Sequence, residues 1–300
     1  MIKYLKEFFD EFEFNSTERV SLAIAHEKIW SVDAARELME ALIEGYGRKI
    51  GFLTLEKFDE VDEISRLSGV HQHTVNLLFL ILLTKKMRER LEAIGMSKKN
   101  IHLTLCDLKY KMIENEKSFG IVGTDKRKWY STVFAPNVFA IGRLQYEPAT
   151  YDGEPYEKGG KVLKKGAPML KIHIPKSGEP LDDKACASSY REAKKFFTKL
   201  LGVEDIAFSC NSWLLSPLHK EFLPEKSNLV KFASRFDILR VNPADSNSAF
   251  FPWLYDMAPE TPLDKLPTDT TLRRAYAEHF KAGNKMIVAF GVFFLEDNKK

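Results

Sequence analysis

The chain has few cysteines, no long apolar runs and little unbalanced charge, and each shortage closes off a class of function. Its three cysteines, Cys106, Cys186 and Cys210, few and widely spaced, make neither the pattern of a disulfide framework nor a CxxC metal knuckle. The longest apolar run, residues 75–83, is interrupted by Asn76 and falls well short of the ~20 residues that cross a bilayer. Net charge is only +3, and residues 1–135 carry 21 basic and 21 acidic groups, so no concentrated basic face points to nucleic acid. The lysines at 158, 161, 164 and 165 read as a solvated hairpin. The chain begins MIKYLKEFFDEF, an amphipathic acidic helix and not a signal peptide. The expectation is a cytoplasmic protein with neither a membrane nor a nucleic-acid partner. No internal repeat and no low-complexity tract is present.

Present in abundance are apolar residues, 44% of the chain, with 22 phenylalanines that suggest aromatic-rich packing. A length of 300 residues suggests two domains of roughly 100–200 residues each. The first half reads as successive helices. Leu5, Phe8, Phe9 and Phe12 fall at 3/4 spacing, and Asn15 with Glu18 forms a capping-box pattern. Val32 to Ile43 repeats the apolar spacing before Gly45 and Gly47, Phe58 to Leu67 does so before Gly69, and Leu105 to Met112 before Gly120. Residues 73–94 are apolar almost all round, as a central buried helix is. His71 and His73, two apart, point in different directions on a helix and have no third ligand nearby, so a polar helix start is expected there and no metal site.

The pattern changes after about Trp129. Arg143 to Tyr146 alternates in period two and reads as a strand; Pro148, Gly153, Pro155, Gly159 and Gly160 then mark a turn-rich connection. Residues 170–174 (LKIHI) form a second strand, residues 184–202 a helix, and residues 206–215 (IAFSCNSWLL) a third strand. A strand over 229–241, a helix over 272–281 and a terminal strand over 286–295 complete a mixed α/β pattern. The domains expected are a helical one over 1–135 and an α/β one over 136–300.

Several stretches carry a resemblance: GRLQYE (142–147), KIHIP (171–175), CNSWLLSP (210–217), SNLVKFASRF (227–236) and LPTDTTLRRAYAEHFKAG (266–283). They resemble bacterial two-domain acyltransferase domain-containing proteins. That resemblance implies an all-helical N-terminal domain followed by a mixed β-sheet domain, flanked by helices, of the GCN5-related N-acetyltransferase (GNAT) type. It also implies acetyl-CoA or another acyl-CoA as cofactor, no metal, and a small-molecule or peptide acceptor. In that fold acyl-CoA lies where two central parallel strands splay, here 170–174 and 206–214, with the phosphates at the following loop and helix N-terminus. Ile174, Lys176, Ser177 and Gly178 are the residues that would hold the cofactor. The chain departs from the usual loop pattern, Arg/Gln-x-x-Gly-x-Gly/Ala, because it has one glycine and Pro180 lacks an N–H. Asp182 or Asp183 also reads as the cap of the following helix. The family commonly has His where this chain has Asn211.

Within the strands, Arg143, Gln145 and Glu147 share one face, Lys171 and His173 another, and Ser209, Asn211 and Trp213 a third. If these strands are neighbours, Glu147, His173 and Asn211 line one polar seam. A His oriented by a Glu is a general base for deprotonating an amine or hydroxyl. The same trio equally reads as a buried network that fixes strand register. Arg143, Gln145, Asn211, Ser212 and Trp213 are candidate substrate contacts. Cys210 is a candidate thioester-forming nucleophile, although an apolar strand also suits an inert thiol; Ser212 lacks a GxSxG elbow. The competing functional class is a non-catalytic ligand-binding or regulatory protein that keeps the fold with a degenerate phosphate loop.

Overall fold

The Leu5, Phe8, Phe9 and Phe12 stripe is buried in the structure, a computed structural model that describes residues 2–296. It belongs to α1 (Ile2–Glu11) and the turn after it. Asn15 caps α2 (Ser16–Trp30): its Oδ1 accepts the Glu18 N–H at 2.9 Å, and Glu18 Oε2 accepts the Asn15 N–H at 2.7 Å. Helix α3 (Asp33–Arg48) runs through Gly45 and Gly47 instead of ending there. Gly45 is a packing site, because the Phe52 ring occupies the space a Cβ would need. Helix α4 (Lys57–Ser68) does end on its glycine, Gly69, at φ 67°. Helix α5 (Gln72–Ala93) is buried continuously from Thr74 to Thr84, as its all-round apolar sequence requires. Its N-cap is His71, whose Nδ1 accepts the His73 N–H at 3.1 Å. Helices α6 (Lys98–Phe119) and α7 (Arg127–Thr132) follow. The chain divides into two compact units between Phe139 and Ala140. Among the described residues, no single helix is long and apolar enough to cross a membrane.

The second unit is built on a sheet of six strands, ordered across it as β1 (Phe139–Ile141), β2 (Leu144–Thr150), β5 (Pro168–His173), β6 (Ala207–Ser212), β8 (Ile287–Phe294) and β7 (Asp237–Pro243). Strands β1 (Phe139–Ile141) and β2 (Leu144–Thr150) flank a turn at Gly142. There φ is 61° and a Cβ would press on Ser189 at 3.3 Å, so glycine meets two requirements at once. A separate hairpin, β3 (Tyr156–Lys158) and β4 (Lys161–Leu163), carries the first lysines of the expected solvated run. Then come β5 (Pro168–His173), α8 (Asp183–Leu201), β6 (Ala207–Ser212), the short α9 (His219–Phe222) and α10 (Asn228–Ala233), and β7 (Asp237–Pro243). Helices α11 (Phe251–Leu254) and α12 (Thr271–Lys281) precede β8 (Ile287–Phe294). The β5–β6 pair is parallel, whereas β2–β5, β6–β8 and β7–β8 are antiparallel. This is the mixed sheet flanked by helices that the sequence predicts.

Helix α8 buries Cys186, Tyr190, Ala193 and Phe197 at 3/4 spacing. The Tyr190 ring lies 5.6 Å from Phe208 and 5.1 Å from Phe293, which are register partners on β6 and β8 and stack at 5.2 Å. Each such aromatic pair contributes about 0.5–1.5 kcal/mol beyond area burial. A second aromatic cluster of this unit gathers Phe251, Tyr255, Tyr276 and Phe280.

Three further boundaries, all in the second unit, differ from the sequence pattern. Arg143 sits in the turn before β2, while β2 continues through Pro148 to Thr150. The short β1 leaves the far part of β2 on an edge, where a proline without an N–H is tolerated. The stretch 229–241 is not one strand: α10 occupies its first part and β7 its last. Trp213 is not on β6 but begins a 3-10 turn, Trp213–Leu215.

Candidate functional site

The parallel ladder between β5 and β6 pairs Met169 with Ala207, Leu170 with Phe208 and Lys171 with Ser209, and then stops. Strand β5 nevertheless continues to His173 and β6 to Ser212. Each strand keeps its outer partner over this stretch, β2 for β5 and β8 for β6. The two strands therefore part at their C-terminal ends, and backbone groups beyond Lys171 and Ser209 border an opening. Carboxyl ends of parallel strands are where open α/β sheets place their ligands.

At this open end His173 Nε2 lies 2.9 Å from Glu147 Oε2, and Lys171 Nζ donates to Glu147 Oε1 at 3.2 Å. The hydrogen bond from His173, helped by the charge on Lys171, holds the Glu147 carboxyl below the usual glutamate value despite its partial burial. In the tautomer whose Nε2–H is donated to Glu147, proton exchange falls to Nδ1. The structure thus brings Glu147 and His173 together. It leaves Asn211 out: that side chain is exposed and hydrogen-bonds to neither, and its register partner is Phe290. Gln145 is buried at the register position opposite His173.

The remaining candidates fall into distinct settings. Cys210 is 1% exposed, and burial pushes its thiol up to about 12, which removes the thiolate that a nucleophile requires. Ser212 Oγ accepts the Leu214 N–H at 3.1 Å, starting the 3-10 turn. The Trp213 ring stands edge-on to His219 at 5.8 Å and to Tyr276 at 6.1 Å. His219 Nε2 in turn meets the Tyr276 hydroxyl at 2.9 Å, and burial lowers His219 to about 4. Nothing in the sequence signals this His219–Tyr276 pair, because its members lie far apart in the chain.

The loop between β5 and α8 is braced from two sides. Arg143 donates to the carbonyls of Pro175 and Pro180, each at 3.1 Å, and of Glu179 at 2.9 Å. Lys176 pairs with Asp256 and reaches the carbonyls of Pro252 and Trp253, each at 3.3 Å. Asp256 also pairs with Arg273 at 2.7 Å. It is a non-glycine residue at φ 57°, a conformation aspartate tolerates better than most, and no spacing in the sequence marks it. Ser177 Oγ accepts the Glu179 N–H at 3.3 Å, and Gly178 lies at φ 83° in open space.

The N-terminus of α8 is capped from within, since Asp182 Oδ1 accepts the N–H groups of Lys184 and Ala185 at 2.9 and 3.0 Å. Those donors are already used. In the loop itself, the N–H groups of Lys176, Ser177, Gly178 and Leu181 donate to no acceptor among the described residues. These loop donors, with the unpaired edges of β5 and β6, fit a pantetheine arm and its phosphates. Among the described residues no group of three or more His, Cys, Asp or Glu side chains could hold a metal ion.

Residues 138–293 match the family model described as the GNAT-like C-terminal domain, and residues 3–135 the one described as the N-acyltransferase N-terminal domain. Among solved structures, an acyltransferase in complex with decanoyl-CoA aligns over 97% of this chain and 87% of its own, with 22% identity and a TM-score of 0.75. An acyltransferase in complex with CoA and 10C-teicoplanin aligns over the same shares with 20% identity and a TM-score of 0.74. A comparison with curated proteins gives no match.

Proposed function

The chain belongs to the family that joins a GNAT-like C-terminal domain to an N-acyltransferase N-terminal domain, and we propose that it moves an acyl group from acyl-CoA to an amine or hydroxyl of a small-molecule or peptide acceptor. The observation that carries this reading is the parting of β5 and β6 after Lys171 and Ser209, with the His173–Glu147 pair at the open end. Acyl-CoA supplies a thioester, already activated toward attack by an amine or hydroxyl. His173 takes the acceptor's proton at Nδ1, and Glu147, accepting at Nε2, fixes the ring and stabilises the imidazolium that results. The acceptor bonds to the thioester carbonyl carbon, the C–S bond breaks, and CoA leaves as a thiolate that takes up that proton. The loop N–H groups of Lys176, Ser177 and Gly178 hold the donor's phosphates, and Trp213 walls the acyl end. Support also comes from the solved acyltransferases of similar fold, which carry decanoyl-CoA and teicoplanin.

A thermal-shift series with CoA, acetyl-CoA and longer acyl-CoAs tests the reading. Ligand at about 100 times Kd adds ~2.7 kcal/mol to the native state, a rise of roughly 2–4 °C or more for a domain of this size. A rise that grows with one acyl chain supports the reading and selects the donor.

A second reading, a ligand-binding protein that performs no transfer, draws on the capped α8 terminus, where Asp182 occupies donors that phosphate commonly takes. A flat response to every thioester would favour it.

A further inference from the structure

We propose that Arg143 is a positioning residue for the donor: it acts by turning the backbone of the loop between β5 and α8, not by touching phosphate. The inference rests on the acyl-CoA reading above and assigns Arg143 a different task from the substrate contact its strand pattern suggests.

Arg143 leaves the β1–β2 turn and places three guanidinium N–H groups on the carbonyls of Pro175, Glu179 and Pro180. A planar fork of donors can span several carbonyls at fixed angles, which a single ammonium cannot. No peptide bond among the described residues is cis. In a trans peptide the C=O of one residue and the N–H of the next point in opposite directions. Holding the Pro175 and Pro180 carbonyls toward Arg143 therefore aims the N–H groups of Lys176 and Leu181 away from it. Both belong to the set of loop donors without an acceptor among the described residues. The middle carbonyl, that of Glu179, precedes Pro180, whose nitrogen carries no hydrogen, so no donor is spent there.

Two further contacts hold Arg143's own base in place. Gly142 abuts Ser189 of α8, and Ser189 Oγ donates to the Ile141 carbonyl. On the loop's other side Lys176 is committed to Asp256. The loop is thus oriented by side chains outside it, which lets a sequence with one glycine present an anion-facing row of N–H groups. It also explains how the site can work while Asp182 keeps the helix terminus for itself.

The test compares wild type with Arg143→Ala and Arg143→Lys. Calorimetry gives the Kd for decanoyl-CoA and for decanoyl-pantetheine, which lacks the phosphates. Hydrogen exchange follows residues 174–182 without ligand. The expected result is decanoyl-CoA binding weakened roughly tenfold or more in both variants, decanoyl-pantetheine binding unchanged, and faster loop exchange at a nearly unaltered melting temperature. Recovery in Arg143→Lys would show a charge contact with phosphate and overturn the proposal. Equal losses for both donors, or loop exchange unaltered in Arg143→Ala, would overturn it as well. If wild type binds neither donor, the acyl-CoA reading falls and this inference with it; normal wild-type binding that survives Arg143→Ala overturns the inference alone.

Discussion

Glu147 and His173 touch across the β2–β5 pair although they are not register partners. His173 sits opposite Gln145 and Glu147 opposite Lys171, so the 2.9 Å contact between the two side chains is a diagonal one. Diagonal neighbours on one face of an antiparallel pair are within reach of long side chains. The carboxylate thereby meets two partners, His173 along the diagonal and Lys171 directly opposite.

Replacing His173 with Ala is expected to lower kcat by 10²–10⁴, the usual contribution of a positioned general base. The side chain is half-buried and on the polar face of the sheet, so the melting temperature should stay within a few degrees of wild type. A steady-state assay beside a thermal melt checks both. Loss of fold in step with activity would make the pair a structural network.

Cys210 should be inert in the native protein. With the thiol buried and raised to about 12, labelling by a maleimide at pH 8 is expected only after denaturation. Cys210→Ala should keep activity. Cys210→Ser should be the less stable of the two, by about 1–3 kcal/mol, because it buries a hydroxyl with no partner. Fast native labelling mapped to Cys210 by mass spectrometry would reopen the thioester route.

Asp182→Ala is expected to move stability and donor affinity in opposite directions. Losing the cap costs about 1 kcal/mol of stability, read from the urea midpoint. The same change releases the Lys184 and Ala185 N–H groups and removes a negative charge beside the phosphates, so Kd for acyl-CoA should fall. Unchanged or weaker binding would place the phosphates away from the α8 terminus.

His219 predicts an acid-sensitive fold. Its folded value of about 4 lies below the ordinary 6.5, so between those values the unfolded chain binds a proton that the native state refuses. Stability is then complete above pH 6.5 and declines as pH falls toward 4, by about 3 kcal/mol for this group. Glu147, whose value is also depressed, adds a loss only at lower pH, below the usual glutamate range. Urea midpoints from pH 7 to 4.5 should fall in wild type and fall less steeply in His219→Asn. Parallel slopes would assign the acid sensitivity to other groups.

Local pattern carries the helical half and the element order of the second. The Asn15–Glu18 capping box, the glycines after α4 and α6, and the continuous burial of α5 all follow from interactions within a few residues, which spacing reports directly. Period two likewise gives Glu147 and His173 each a place on the polar face of its own strand, while the pairing of those strands is a tertiary fact. Where local pattern misled, packing and pairing had decided: Gly45 makes room for the Phe52 ring inside α3, and the shortness of β1 let β2 pass Pro148. Only the tertiary structure determined that β5 and β6 part after Lys171 and Ser209. It alone put the Arg143 guanidinium on three loop carbonyls, set Asp256 between Lys176 and Arg273, and joined His219 to Tyr276. Those side-chain contacts link residues 17 to 80 positions apart and answer to backbone direction and burial, and neither leaves a periodic trace in sequence.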